Sequence, residues 1–140
     1  MIKIQAIDIT LPEMDQKIQK DWIHRFTDSY GKKIGELYYL FCSDEYLYKM
    51  NVARLGHDFY TDIITFPLND CETLLSGEFY ISVDRIKDNA NIFGRTFRDE
   101  LDRVMAHGVL HLIGYKDKSD EDAKIMRIQE EKCLTMRELE

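Results

Sequence analysis

At 140 residues and a formal net charge of −7, the chain fits one domain, residues 1–140, with a real core; the negative balance excludes a protein that coats nucleic acid through bulk charge. Hydrophobic residues at 44% and aromatics at 11% exclude a disordered chain. No apolar run approaches bilayer length and no signal-peptide core follows Lys3, so no membrane is expected and a cytoplasmic address is the default.

Ile2, Ile4, Ile7 and Ile9 predict a first strand, with a bulge where the alternation slips near Ala6. Pro12 is expected to open a helix whose face is Met14, Ile18, Trp22 and Phe26, stopping at Gly31. Ile34 to Cys42 is almost continuously apolar and predicts a central strand. Ser43 caps a short helix running to about Gly56. Asp62 to Phe66 predicts a short strand ending at Pro67, and Phe79, Ile81 and Val83 alternate as a half-buried strand. Three helices follow, capped at Asp84, at Thr96 with Asp99, and at Ser119 with Asp122; Gly94 ends the first. The order βαβαββααα predicts an α+β domain: a small mixed β-sheet of about four strands with helices packed on it. Cys42, Cys71 and Cys133 fit neither a disulfide framework nor a zinc knuckle and are assigned to buried packing. Tyr38, Tyr39, Tyr46 and Tyr48 are read as core, and His24 as surface. The basic residues between Arg85 and Lys118 are read as ordinary helix-surface charge.

The informative segment is His107-Gly-Val-Leu-His111-Leu-Ile-Gly114-Tyr-Lys-Asp117. Histidines at i and i+4 share one helix face, and both imidazoles can reach one ion at about 2.0–2.1 Å. Gly114 lets the backbone leave the helix, and Asp117 then offers a carboxylate from a third direction. Three protein ligands leave one position open, which is the catalytic pattern. Zn²⁺ is the first choice, and two His with one carboxylate also suit Fe²⁺ or Mn²⁺. The spacing is that of the metzincin motif H-E-x-x-H-x-x-G-x-x-H, so a zincin-like metal helix is expected. Gly108 stands where those peptidases carry their general-base Glu, which removes the protease reading. The chain lacks the C-x-x-C of a zinc deaminase, and an iron facial triad normally sits on sandwich strands rather than a helix.

The same segment resembles the signature H-G-x-L-H-L-x-G-Y-D-H of the YbeY-type rRNA maturation factors. Thr61-Asp62-Ile63-Ile64-Thr65-Phe66-Pro67 is similar to that family's T-D-V-L-S-F-P, and Gly77-Glu78-Phe79-Tyr80-Ile81-Ser82 to its G-D-I-x-I-S. The resemblance implies a metal-dependent, single-strand-specific endoribonuclease that processes the 3′ end of small-subunit ribosomal RNA and serves ribosome quality control. Its partners would be single-stranded RNA, ribosomal RNA precursor and the small ribosomal subunit. Two positions depart from the pattern. Asp117 replaces the third His, and Leu55 stands where the family carries a functional Arg four residues after Asn51. Arg54 and Asp62 are therefore candidate catalytic residues, with Asp62 alternatively a partner of a metal-bound His or a turn residue. Arg98, Lys116 and Lys118 are candidate substrate-binding residues. Tyr115 is assigned to packing. The non-enzymatic alternative is a ribosome-assembly factor whose metal is structural.

Overall fold

The computed structural model describes residues 1–137. Its elements run β1 (Ile2–Ala6), α1 (Gln16–Ser29), β2 (Lys33–Cys42), α2 (Asp44–Leu55), β3 (Ile63–Pro67), β4 (Leu74–Ser82), α3 (Val83–Phe93), α4 (Phe97–Ile113) and α5 (Asp120–Leu134). This is the α+β order expected. The sheet order is β1-β2-β4-β3; β1, β2 and β4 are parallel and β3 is an antiparallel edge. The apolar β2 is central, as its composition requires.

The two sheet faces are covered unequally. Tyr39, Phe41, Phe79 and Ile81 are fully buried on the main face beneath α1 and α4, with Trp22, Phe26, Val104 and Val109 opposite. Burial of each such aromatic is worth about 1.5–3 kcal/mol against exposure. On the other face α2 makes a smaller cluster in which Leu47 meets Cys42 and Ile64. The Tyr39 hydroxyl crosses the main core and donates to the Met105 carbonyl at 2.9 Å, so α4 is tied to the central strand two residues before His107.

Several boundaries differ from the sequence expectation. β1 ends at Ala6 rather than bulging through to Ile9, because its partner β2 stops at Cys42. Asp8 instead accepts from both the backbone N–H and the hydroxyl of Ser43, securing the start of α2. Ile7 is left 40% exposed. Pro12 does not open α1; Asp15 does, accepting from the Ile18 N–H at 3.1 Å. β4 begins at Leu74, earlier than its alternating residues suggest, because β2 pairs with it from Lys33↔Leu74 onward. Ser82, not Asp84, caps α3, and Val83 belongs to that helix; Asp84 accepts from the Asp44 N–H instead. Ser43, Thr96 and Ser119 cap as expected. Cys42 and Cys133 are buried, but Cys71 is exposed. Tyr39 is core, whereas Tyr46 is 36% exposed and Tyr48 stacks on Tyr60 outside the buried clusters.

Candidate active site

The site lies where the C-terminal half of α4 crosses the β3 edge of the sheet. α4 can lie that close because Gly108 faces the sheet. A Cβ there would stand 2.7 Å from Cδ1 of Phe79 and 3.1 Å from Cδ1 of Ile63. The zincin Glu is therefore sterically excluded as well as absent. With Gly108 against the sheet, His107 and His111 emerge at the cavity side, their ring centroids 4.4 Å apart. α4 ends at Gly114, whose φ of 125° is a conformation L side chains rarely adopt. The chain then returns past the histidines, carrying Asp117. One carboxylate oxygen, Asp117 Oδ2, sits 3.2 Å from His107 Nε2 and 3.3 Å from His111 Nε2. Ligands about 2.0–2.1 Å from a tetrahedral ion stand roughly 3.3 Å from one another, so this trio fits one such ion. His107, His111 and Asp117 form a group that could hold a metal ion.

Each histidine is oriented by its other nitrogen. His111 Nδ1 lies 2.9 Å from the Tyr115 carbonyl oxygen, an acceptor only, so Nδ1 carries the proton and Nε2 keeps its lone pair. Tyr115 itself is fixed by edge-to-face packing on Tyr30 at 6.0 Å. His107 Nδ1 lies 2.6 Å from Oε2 of Glu130 on α5. Burial pushes the Glu130 carboxyl up, but the His107 hydrogen bond and the Arg103 guanidinium outweigh it, and the group stays below its ordinary value. Ionised Glu130 accepts, and His107 also presents Nε2 to the site. Arg103 in turn binds Glu100 at 2.7 Å, Glu130 at 3.1 Å and Asp62 at 3.4 Å.

A cavity of about 510 Å³ opens beside the trio and is lined by Asp62 and Lys118 as well as Asn51, Leu55, His57 and Phe59. Asp62 sits in its wall; burial raises its carboxyl, and the neighbouring Arg103 and His107 only partly offset this. Lys118 reaches the cavity. Arg54 is not among its lining residues, and its guanidinium stands 5.8 Å from the Phe66 ring centroid. Leu55 lines the cavity and brings no charge to the position where the resemblance expects Arg. Lys116 is exposed beside Asp117 and outside the lining. Arg98 lies in the first turn of α4, 3.6 Å from Asp102 and in the wall of a different, small cavity. The structure thus brings Asp62 and Lys118 to the His107–His111–Asp117 trio and leaves Arg54, Arg98 and Lys116 aside.

Glu130 escaped the sequence reading, and Arg103, expected to be helix-surface charge, instead has a side chain only 12% exposed and paired with three carboxylates. A signal existed for Glu130: it follows Met126 by four residues and precedes Cys133 by three, so it lies on the buried stripe of α5. A carboxylate on a buried stripe needs a partner.

The family model described as Endoribonuclease YbeY matches residues 2–138. The chain belongs to the YbeY family of endoribonucleases. A YbeY relative from Porphyromonas gingivalis W83, named Endoribonuclease YbeY, is 45% identical over 135 residues, covering 96% of this chain and 89% of that one. A relative from Bacteroides thetaiotaomicron with the same name is 43% identical over 136 residues, 97% of this chain and 98% of its own. The solution structure of a Thermotoga maritima protein superimposes with a TM-score of 0.66 at 27% identity, over 97% of this chain and 88% of that one.

Proposed function

We propose that this chain is a metal-dependent endoribonuclease specific for single-stranded RNA, acting on ribosomal RNA precursor at the 3′ end of small-subunit rRNA. Ribosome quality control, contact with the small subunit and a cytoplasmic address belong to the same reading. No helix among the described residues is long and apolar enough to cross a membrane. The observation that carries the proposal is the convergence of His107 Nε2 and His111 Nε2 on Asp117 Oδ2 beside an open cavity. A trio buried on all sides would favour a structural ion; this one faces solvent, with Asp117 41% exposed.

His107, His111 and Asp117 would hold one divalent ion, with Zn²⁺ the first assignment and Fe²⁺ or Mn²⁺ the alternatives for two imidazoles and a carboxylate. When bound, the ion supplies Lewis acidity toward a phosphodiester. The protein's own groups do the rest. Glu130 and the Tyr115 carbonyl keep both histidines in the tautomer that ligates. Lys118 offers a positive charge where a scissile phosphate develops negative charge. Asp62, in the cavity wall with a raised carboxyl, is suited to taking and returning a proton. Arg103 is committed to three carboxylates and is left to anchor Asp62 and Glu130 rather than bind RNA.

His111→Ala tests the assignment. It is expected to lose both bound metal, by elemental analysis, and chelator-sensitive cleavage of single-stranded RNA. Wild-type metal content and cleavage in that variant would sink it. Bound metal in the wild type with no chelator-sensitive cleavage would favour the assembly-factor alternative.

A further inference from the structure

We propose that residues 57–60 form a nucleobase-stacking shelf, with Phe59 as its platform, that receives an unpaired base of the RNA beside the metal trio. The proposal rests on the endoribonuclease reading above and names what selects single strands at that site.

The chain leaves α2 at Gly56 and runs outside regular structure to Asp62, and its side chains diverge in alternation. Asp58 and Tyr60 turn toward α2. The Tyr48 hydroxyl donates to the Asp58 carboxylate, and the Tyr48 and Tyr60 rings stack with centroids 4.5 Å apart at 21°. His57 and Phe59 turn the other way and line the cavity that His107, His111 and Asp117 also line. Their two rings stack on each other, 5.2 Å apart at 16°.

The backbone is clamped independently of those rings. Asn51, 1% exposed, donates from Nδ2 to the Phe59 carbonyl at 2.9 Å and accepts the His57 N–H on its own carbonyl at 3.1 Å. Arg85 stands 5.7 Å from the Tyr60 ring centroid and braces the far end. Phe59 is therefore held in place by its main chain while its ring contributes to neither buried cluster and remains 54% exposed. An aromatic ring positioned at a cleft wall and backed by a parallel second ring presents the surface on which a base stacks. Bases within a duplex already stack on one another and do not offer their faces.

Charge and space agree with that occupant. Lys118 is the one Lys or Arg among the described residues lining this cavity, and the chain carries a net charge of −7. Phosphate attraction alone is weak here, so base stacking has to supply affinity. On the far side of His111 lies a second cavity of about 550 Å³, lined by Lys32 and Asn69 but also by Asp70 and Glu72, which shares Pro67, His111 and Leu112 with the first. A strand whose base rests on Phe59 has room to continue past His111, as cleavage within a chain requires.

The test uses the full chain loaded with Zn²⁺ and a short single-stranded RNA carrying one 2-aminopurine, moved through the sequence position by position. The wild type is expected to quench the fluorophore at one position. Phe59→Tyr is expected to retain the quench. Phe59→Leu, which keeps apolar bulk without the ring, is expected to lose it and to raise KM about ten- to a hundredfold with kcat unchanged. Wild-type quench and KM in Phe59→Leu, with wild-type cleavage intact, would overturn the shelf alone. Equal cleavage of the same RNA annealed into a duplex would overturn its role in selection. A Zn²⁺-loaded wild type that leaves single-stranded RNA uncut would overturn the endoribonuclease reading, and the shelf with it.

Discussion

Two residues around the trio carry separable consequences. Gly108 sets how closely α4 approaches β4. Gly108→Ala puts a methyl against Phe79 and Ile63, and overpacking of this kind costs about 1–3 kcal/mol. A lowered denaturant midpoint is the expected result, and metal affinity should fall with it because both histidines ride on the displaced turn. Glu130 touches the trio through His107, at 2.6 Å, and also pairs with Arg103 at 3.1 Å. Glu130→Gln keeps the shape but weakens the bond to His107 Nδ1, and loss of such an outer partner typically costs about 10–100-fold in metal affinity. Titration against a competing chelator measures this. The same variant has a defined pH signature. The Glu130 carboxyl lies below its ordinary value of 4.5 in the folded chain. Its stabilising contribution is therefore complete above the unfolded value and disappears as pH falls through the folded one. Melting curves of metal-free wild type and Glu130→Gln should differ at neutral pH and converge at acid pH.

At the scale of elements, α4 is held by polar ties as much as by apolar packing. Asp102 is fully buried on α4. It accepts from Gln19 Nε2 of α1 at 2.8 Å and from Arg137 Nη1, just beyond α5, at 3.0 Å. Asp102→Ala removes the acceptor that Gln19 and Arg137 share, though Arg137 keeps Asp99 at 2.9 Å, and loss of hydrogen bonds to a charged group costs about 1.5–3 kcal/mol. The loss should show in urea unfolding. Asp102 does not line the site cavity, so residual metal binding at low temperature is expected to survive. The helix caps have a different standing. Ser43, Thr96 and Ser119 are local signals in which a side chain meets a backbone N–H three residues on, and they operate whatever packs around them.

For the molecule as a whole, the acidic balance and the sparse cations at the cavity predict shallow salt dependence. With about two phosphates neutralised, the slope of log affinity against log salt for a single strand is expected near −1.5. Anisotropy of a labelled RNA between about 50 and 200 mM salt should therefore show a loss of only about tenfold. A slope several times steeper would mean that a broad basic face, rather than this cavity, carries the RNA.

Periodicity and motif determined a good deal by themselves. The order βαβαββααα, the central place of β2 and the pairing of His107 with His111 are all written in local spacing. Each depends on neighbours a few residues away along one helix or strand. Family membership was legible for the same reason, since its motifs are short contiguous blocks. Tertiary structure decided what depends on partners distant in the chain. β1 stops at Ala6 because β2 turns into a helix, which no residue of β1 announces. Glu130 reaches His107 across 23 residues, and Arg103 reaches Asp62 across 41. Arg98 and Lys118 looked alike as basic residues near the motif, yet only Lys118 reaches the cavity. Phe59 gave no pattern at all, and His57 stood out in the sequence only as a charge near Leu55, where the resemblance expects Arg. Their meaning lies in a clamped loop that sets two exposed rings against a wall formed by another helix, and ring orientation of that kind is fixed by packing rather than by spacing.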